Sequence, residues 1–307
     1  MKKVILLLIF MAVHNVAQNV VVLEDKAITN LKEGKFFFPA ASPDGNYILF
    51  SGVTYKGLWS KNITSGKISK ITNANGAGYE PGFSTFANEI IFREDKFIQG
   101  KRISSINSYD LVSKKTNVIE EGIRDLKICR DNVNAFTNYV KENEIQLMPK
   151  QKMVQKTTLN EKTVFIQDTK IVLTDNGSSR LFLPMGEGNY IWPSLSPDKT
   201  KLLFTFAGKG TFVSTMTGII LKHIGYANYP SWSPDGNWIV FMKDIDDGEK
   251  IISSDVYIAN INTGKYFNLT SGKNDIELYP KWGKDISEIF YNTNNGQIRK
   301  IKLQFEK

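Results

Sequence analysis

The stretch Pro230-Ser-Trp-Ser-Pro-Asp-Gly-Asn-Trp-Ile-Val-Phe241 decides the fold, because related stretches recur along the chain. Its leading proline fits the first position of a strand, where the missing N–H is not needed. Ser233-Pro-Asp-Gly236 supplies the residues of a tight turn, and the alternating apolar residues after it predict the second strand of a hairpin. Further copies of this phrase begin at Pro39, Pro81, Asp125, Pro193 and Pro280.

A second hairpin follows the phrase in the best-kept copies. Two β-type runs at residues 58–63 and 67–72 flank a Thr64-Ser-Gly66 turn, and residues 256–270 repeat the arrangement. Each copy therefore supplies four strands. The leading prolines are 37 residues apart at one step (193 to 230) and 50 at another (230 to 280), which is the size of a propeller blade. We predict an all-β fold, a six-bladed β-propeller of four-stranded blades.

The third blade departs from this spacing. From Asp125 to Pro193 the chain runs 68 residues, which is more than one blade and less than two. We predict that blade three carries an insertion at about residues 140–170, with its outer hairpin formed by residues 171–175 and 180–183. The alternative is a seven-bladed ring with a degenerate fourth blade.

The two ends of the chain predict how the ring closes. The last copy supplies three strands and ends at about Leu303, whereas the β-type run Val20 to Leu23 precedes the first blade with no partner of its own. Pairing this N-terminal strand as the outer strand of blade six would close the ring and cover both edges.

The first 17 residues are typical of a secretory signal peptide. Lys2 and Lys3 precede ten consecutive apolar residues, Val4 to Val13, and Ala17 offers a small residue for cleavage. Ten residues are too few to span a bilayer, which takes about 20, and no later apolar run approaches that length. We predict that residues 1–17 are removed, that residues 18–307 form the propeller, and that the product is periplasmic or secreted, with no transmembrane segment.

Composition excludes several classes of site. Among 307 residues there is one cysteine, Cys129, and there are two histidines, His14 and His223, so thiolate zinc sites, internal disulfides and multi-histidine metal sites are out of reach. The net charge of +8 comes from basic residues scattered among acidic ones. That pattern indicates a solvated surface rather than a nucleic-acid groove. We predict no cofactor and no nucleic-acid partner.

The Pro-x-Trp-Ser-Pro-Asp-Gly phrase, with the Asn262-Thr-Gly264 turn and the Leu269-Thr270 ending, resembles the WD40-like repeat of the TolB-like periplasmic propellers. The resemblance covers about residues 20 to 305 and implies a partner among envelope proteins or peptides. TolB proteins carry a further N-terminal domain, for which residues 18–36 leave no room, so we expect a stand-alone propeller. The same repeat also builds two other groups of proteins. These are the propeller domains that precede prolyl-oligopeptidase-type hydrolases, and the oligogalacturonate lyases.

The sequence shows no catalytic constellation. It has no Gly-x-Ser-x-Gly nucleophile elbow, and His223 alone cannot supply the multi-histidine metal site that the resemblance to lyases would require. We therefore predict a non-catalytic propeller that binds a protein or peptide. The alternatives are a glycosidase or lyase that works with a pair of carboxylates, and a glycan-binding propeller.

One acidic loop could hold a metal ion. Asp244, Asp246 and Asp247 place oxygen donors near a glycine, which is the donor chemistry that Ca²⁺ prefers, although the EF-hand spacing is absent. The competing interpretation is an acidic hairpin tip without a metal.

The residues just before each leading proline are the candidate binding site. By blade symmetry they recur around one mouth of the central channel, and they are rich in aromatic side chains, which supply large contact areas with a polar tip. The competing interpretation is that they pack between blades. The predicted rim consists of Phe37, Tyr79, Glu80, Arg124, Tyr190, Trp192, Tyr229 and Tyr279.

Overall fold

A computed structural model describes residues 19–84, 89–124, 126–130, 136–141, 144–147, 162–175, 178–272 and 275–306. In these ranges the chain forms 26 β-strands, starting with β1 (Asn19–Ala27), and one 3-10 turn at Val53–Tyr55. No helix in the described ranges is long and apolar enough to cross a membrane. The prediction of an all-β six-bladed propeller is confirmed, whereas the predicted signal peptide lies outside the described residues.

Blades one and two are four-stranded antiparallel sheets whose strands follow one another in chain order. Each begins with the innermost strand that contains or follows a leading proline, as the repeat predicts. Blade one contains β2 (Phe37–Ala41), β3 (Tyr47–Ser51), β4 (Leu58–Asn62) and β5 (Ile68–Thr72), and blade two contains β6 (Gly82–Phe83), β7 (Glu89–Ile98), β8 (Lys101–Asp110) and β9 (Thr116–Ile123).

The third blade position differs from the prediction in its details. Its stretch of chain forms two three-stranded sheets, where the sequence predicts one four-stranded blade with an insertion. The predicted outer hairpin pairs instead with residues 163–167, a β-type run that the repeat does not mark. Residues 142–143 and 148–161 of the predicted insertion lie outside the described residues. The strands are β10 (Lys127–Arg130), β11 (Phe136–Lys141), β12 (Glu144–Leu147), β13 (Thr163–Gln167), β14 (Lys170–Asp175) and β15 (Ser178–Leu181).

Blades four and five return to the regular pattern, and blade six completes the ring. The order of strands in blade six is β1-β26-β25-β24, so the N-terminal strand is its outer strand, as predicted. Blade six in turn packs against blade one. The strands are β16 (Tyr190–Leu195), β17 (Lys201–Phe206), β18 (Gly210–Thr215), β19 (Ile220–Gly225), β20 (Asn228–Trp232), β21 (Trp238–Asp246), β22 (Ile251–Asn260), β23 (Tyr266–Asn268), β24 (Glu277–Trp282), β25 (Glu288–Thr293) and β26 (Ile298–Glu306).

Ring closure rests on a long strand pair and a charged network. β1 pairs antiparallel with β26 from Asn19 opposite Glu306 to Ala27 opposite Arg299. The Arg299 guanidinium donates to the Asp25 carboxylate at 3.0 Å, and the Tyr291 hydroxyl donates to the same carboxylate at 2.7 Å. The Asp25 side chain is 8% exposed, so this network is largely shielded from water.

The hydrogen bonds that recur in the turn explain why the repeat specifies hairpins. The Ser42 hydroxyl donates to the Asp44 carboxylate at 2.5 Å and accepts a hydrogen bond from the Tyr47 N–H at 2.9 Å. These bonds tie the turn to the first residue of the next strand. The same hydroxyl-to-carboxylate bond, also at 2.5 Å, recurs at Ser196–Asp198 and Ser233–Asp235.

The tryptophan of the repeat joins neighbouring blades. Trp232 and Trp282 are buried, and each indole N–H donates to a backbone carbonyl on the innermost strand of the preceding blade. The Trp232 indole bonds the Ser194 carbonyl at 3.1 Å, and the Trp282 indole bonds the Ser231 carbonyl at 3.2 Å. A buried Trp therefore packs between blades and also satisfies its one polar atom.

Candidate functional site

The residue before the leading proline has a left-handed backbone in five copies of the repeat. A positive φ is uncommon for residues other than glycine, and it costs roughly 1–2 kcal/mol, so five equivalent cases indicate a feature that the fold imposes. In four of the five blades the pairing register of the innermost strand shifts here, which marks a β-bulge. The five residues are Phe38 (φ 56°), Glu80 (53°), Trp192 (51°), Tyr229 (50°) and Tyr279 (55°).

These five residues line one pocket at the mouth of the channel. The pocket has a volume of about 220 Å³ and takes its lining from blades one, two, four, five and six. Besides the five, the lining includes Tyr55 and Tyr79 from blades one and two, and Ser194 and Lys281 from the innermost strands of blades four and six. The bulges thus direct equivalent side chains from separate blades to a single site.

Six aromatic rings around this pocket form an unbroken series of contacts. We call Phe38, Tyr55, Tyr79, Trp192, Tyr229 and Tyr279 the mouth cluster. In order, the distances between ring centroids are 4.9 Å for Trp192–Tyr229, 4.6 Å for Tyr229–Tyr279, 4.2 Å for Tyr279–Phe38, 4.3 Å for Phe38–Tyr55 and 5.2 Å for Tyr55–Tyr79. Aromatic pairs at such distances attract one another, so the six rings form one packed wall around the pocket.

The hydroxyls of Tyr55, Tyr229 and Tyr279 in the mouth cluster stay neutral over a wide pH range. Burial raises the pKa of Tyr279 to about 12, and burial also raises the pKa of Tyr55 and Tyr229. The Tyr55 and Tyr229 hydroxyls are hydrogen-bonded to each other. At neutral pH the pocket therefore offers uncharged hydroxyl groups beside apolar ring faces.

Tyr79 is the most accessible ring of the mouth cluster, at 44% exposure, and a buried arginine supports it. The Arg93 guanidinium carbon lies 5.4 Å from the centroid of the Tyr79 ring. Arg93 is itself fixed by the Asp95 carboxylate at 2.8 Å and the Ser104 hydroxyl at 2.9 Å. This cation–π contact helps to fix the position of the Tyr79 ring.

Charged groups of both signs reach the pocket. Glu80 is exposed at its edge, and Lys281 is half-buried in its wall. Among the described residues that line the pocket, Glu80 is the one carboxylate. The carboxylate pair required by the glycosidase or lyase alternative is therefore not formed within this lining.

The structure brings together five of the eight predicted rim residues and places the other three elsewhere. Tyr79, Glu80, Trp192, Tyr229 and Tyr279 line the pocket. The remaining residues are Phe37, Tyr190 and Arg124.

These three residues lie outside the pocket lining for separate reasons. Phe37 pairs with Ser51 in the sheet, and the bulge gives the pocket position to its neighbour Phe38. Tyr190 is fully buried in blade four, where its hydroxyl donates to the Gly186 carbonyl at 2.7 Å, so it is a core residue and not a rim residue. Arg124 is exposed after β9 and is not part of the described lining.

Two kinds of residue line the pocket but were not predicted as part of the rim. Tyr55 lies in the 3-10 turn between β3 and β4, and no other described connection forms such a turn, so the repeat carries no signal for it. Ser194 and Lys281 directly follow a leading proline. Because they occupy equivalent positions in two copies, the periodicity that identifies the rim could also have identified them.

The carboxylates of the acidic loop accept hydrogen bonds from groups of the protein itself. Asp244 accepts hydrogen bonds from the Asn228 amide at 2.7 Å and the Tyr226 hydroxyl at 3.2 Å. Asp246 and Asp247 accept backbone N–H groups of their own turn, at 2.9 Å and 3.0 Å. Within the described ranges no three His, Cys, Asp or Glu side chains are grouped so that they could hold a metal ion. The geometry is that of a capped hairpin tip.

No protein-family model matches the chain, and no curated protein matches it by sequence. Among solved structures, that of a putative TolB from Agrobacterium tumefaciens is similar to it with a TM-score of 0.51 and 15% sequence identity, over 89% of this chain and 90% of that one. The chain has a TolB-like β-propeller fold. The resemblance seen in the repeat is thereby confirmed at the level of the fold.

Two oligogalacturonate lyases are also similar to the chain. One, solved in complex with manganese, has a TM-score of 0.48 and 12% identity over 88% of this chain and 78% of that one. The other, from Vibrio parahaemolyticus, has a TM-score of 0.46 and 11% identity over 90% of this chain and 79% of that one.

The prediction that the chain is not an enzyme is wrong as it stands, since the solved structures to which the chain is similar include two lyases besides the putative TolB. A fold shared by both classes gives no reason to exclude catalysis.

Proposed function

We propose that the protein binds a protein or peptide segment of the cell envelope at the channel mouth, and that the mouth cluster makes the main contacts. The observation that carries this proposal is the continuous series of six aromatic rings contributed by five different blades around one pocket. Aromatic residues are enriched at protein interfaces and among the few residues that dominate binding energy.

The size of the pocket supports a short segment as the ligand. A volume of about 220 Å³ is below the roughly 300–1,000 Å³ of pockets that enclose a drug-sized molecule. It accommodates one or two side chains, whereas a folded domain could only rest on its rim. We therefore propose that a partner inserts the side chains of an extended segment and leaves the remainder outside.

The proposed setting is the periplasm or the cell exterior. The basic residues, the ten-residue apolar run and the small residue at position 17 support export through a signal peptide. The TolB-like fold is compatible with this setting and with a protein partner.

A glycan is a second candidate for the same pocket. Ring faces that carry neutral hydroxyl groups, such as those of Tyr229 and Tyr279, can pack against a sugar and also exchange hydrogen bonds with it. The two candidates share the pocket and differ in the ligand, so one set of variants separates them.

We expect truncation of two rings in the mouth cluster to weaken peptide binding by at least about 30-fold. Trp192→Ala with Tyr279→Ala removes rings from two separate blades, and truncating a single hot-spot residue costs about 2 kcal/mol or more, which equals that factor. The probe is a peptide selected from a random displayed library on the immobilised wild-type protein, with its affinity measured by calorimetry.

Tyr266→Ala is the matched control. Tyr266 is an accessible tyrosine at 42% exposure, but it lies on the outer strand β23, away from the pocket. Its variant is expected to bind the selected peptide like the wild type. Equal losses in the control and the ring variant would contradict the proposal, as would a failure to select any peptide while a glycan array binds in a Trp192-dependent way.

A further inference from the structure

Two hairpins project beyond the mouth of the channel. The strands β7 and β8 have 10 residues each, and β21 and β22 have 9 and 10, whereas β3 and β4 have only 5 each. The innermost strands run away from the mouth, so the second strands run back towards it and the turns after them lie on the mouth face. The extra residues, at about 3.3 Å each, therefore rise above the pocket.

Both hairpins begin at the mouth cluster. In blade two, Arg93 of β7 lies under the Tyr79 ring, and pairing continues five residues further to Ile98 opposite Lys101. In blade five, Asp244 of β21 accepts from Asn228, the residue before Tyr229. The projecting ends are thus continuous with the walls of the pocket.

Each projecting end carries exposed apolar side chains. In blade two these are Phe97 and Ile98, at 67% and 58% exposure. In blade five they are Ile245 and Ile252, at 62% and 49%. Large apolar groups at the ends of two hairpins beside a pocket are typical of a surface that a partner covers.

The two ends have opposite charges. Residues 96–102 contain Lys96, Lys101 and Arg102 and no acidic residue, which gives a charge of +3. Residues 245–252 contain three acidic residues, two of them Asp246 and Asp247, against one lysine, which gives a charge of −2. The charged side chains at both ends are exposed, so a field runs across the mouth from blade two to blade five.

We infer that the mouth binds its peptide in one direction, with an acidic end of the segment at the blade-two hairpin and a basic end at the blade-five hairpin. The inference rests on the proposed function and adds the chemistry of the partner. The segment carries aliphatic or aromatic side chains between two ends of opposite charge. The mouth cluster supplies affinity, and the charged ends fix orientation and raise the association rate.

Selection of peptides on a protein with exchanged charges tests this inference. One variant combines Lys96→Glu, Lys101→Glu and Arg102→Glu with Asp246→Asn, Asp247→Asn and Glu249→Lys. The asparagines keep the oxygen atoms that accept the backbone hydrogen bonds of the turn. The charges of the two ends become −3 and +2.

The expected result is that peptides selected from a random displayed library show opposite charge order on the two proteins. A peptide selected on the wild type should bind the exchanged variant at least about tenfold more weakly, and its charge-reversed counterpart should regain affinity. Peptides that need Trp192 and Tyr279 but show the same charge order on both proteins would overturn the inference and leave the proposed function intact. Absence of any pocket-dependent peptide would overturn both.

A second copy of this chain is the competing occupant, because the positive end of one molecule could meet the negative end of another. Sedimentation of the wild type and of a variant changed only at Lys96, Lys101 and Arg102 distinguishes the two. A monomeric wild type supports the inference. Self-association that this variant abolishes would assign the ends to a second copy and overturn it.

Discussion

Asp25→Ala is expected to lower the free energy of unfolding by about 3–5 kcal/mol, because it leaves a shielded cation without its partner at the point where the ring closes. The Asp25 carboxylate accepts from Arg299 at 3.0 Å and from Tyr291 at 2.7 Å, and the Asp25 and Arg299 side chains are 8% and 19% exposed. Urea unfolding followed by circular dichroism measures the loss.

The neighbouring ion pair provides the control for Asp25. Glu24 and Lys26 lie on the same strand at 2.9 Å, with side chains 42% and 53% exposed. Solvent screens exposed ion pairs and they contribute little to stability, so Glu24→Ala is expected to have a small effect. Equal losses for Glu24→Ala and Asp25→Ala would contradict a closing role for the Asp25 network.

Tyr190→Ala is expected to cost about 3–5 kcal/mol and to leave the wall of the pocket intact. The Tyr190 ring is fully buried and packs at 4.9 Å from the Phe206 ring, so truncation leaves a cavity in blade four. The variant also orphans the Met185 N–H and the Gly186 carbonyl, which bond the Tyr190 hydroxyl at 3.0 Å and 2.7 Å. Denaturant unfolding gives the value.

Two further variants distinguish a core role for Tyr190 from a role at the surface. Tyr190→Phe keeps the ring and removes the hydroxyl, so a loss of about 1–3 kcal/mol is expected from the two unmet backbone groups. Tyr79→Ala acts at a half-exposed ring, so at most about 1 kcal/mol is expected. A larger loss for Tyr79→Ala than for Tyr190→Ala would reverse the assignment of Tyr190 to the core.

The fold could be predicted because the repeat encodes local structure directly. Ser233, Asp235 and their equivalents form the same hydrogen-bonded turn in three copies, and a hairpin with a fixed turn leaves little choice of register. The N-terminal strand was also predictable, because a β-type run without a partner and a three-stranded last blade complete each other.

The parts that sequence did not predict depend on side-chain packing and register within a blade or on departures from the repeat. The bulge that turns Phe38 rather than Phe37 to the pocket changes the register by one residue, which periodicity does not resolve. Tyr190 has the aromatic character of a rim residue, but its ring packs inside its own blade. Residues 127–181 lack the full repeat phrase. Nothing in the sequence therefore indicated that their strands form two separate sheets.

A photo-crosslink from the pocket tests the central claim, that the channel mouth binds a peptide. p-Benzoylphenylalanine replaces Tyr79 in one protein and Val112 in another, and each is irradiated with the peptide selected on the wild type. Val112 is 86% exposed in the turn after β8, at the end of the blade opposite the mouth. We predict a covalent adduct from position 79 and none from position 112, whereas an adduct formed equally from both positions, or only from 112, would contradict the account.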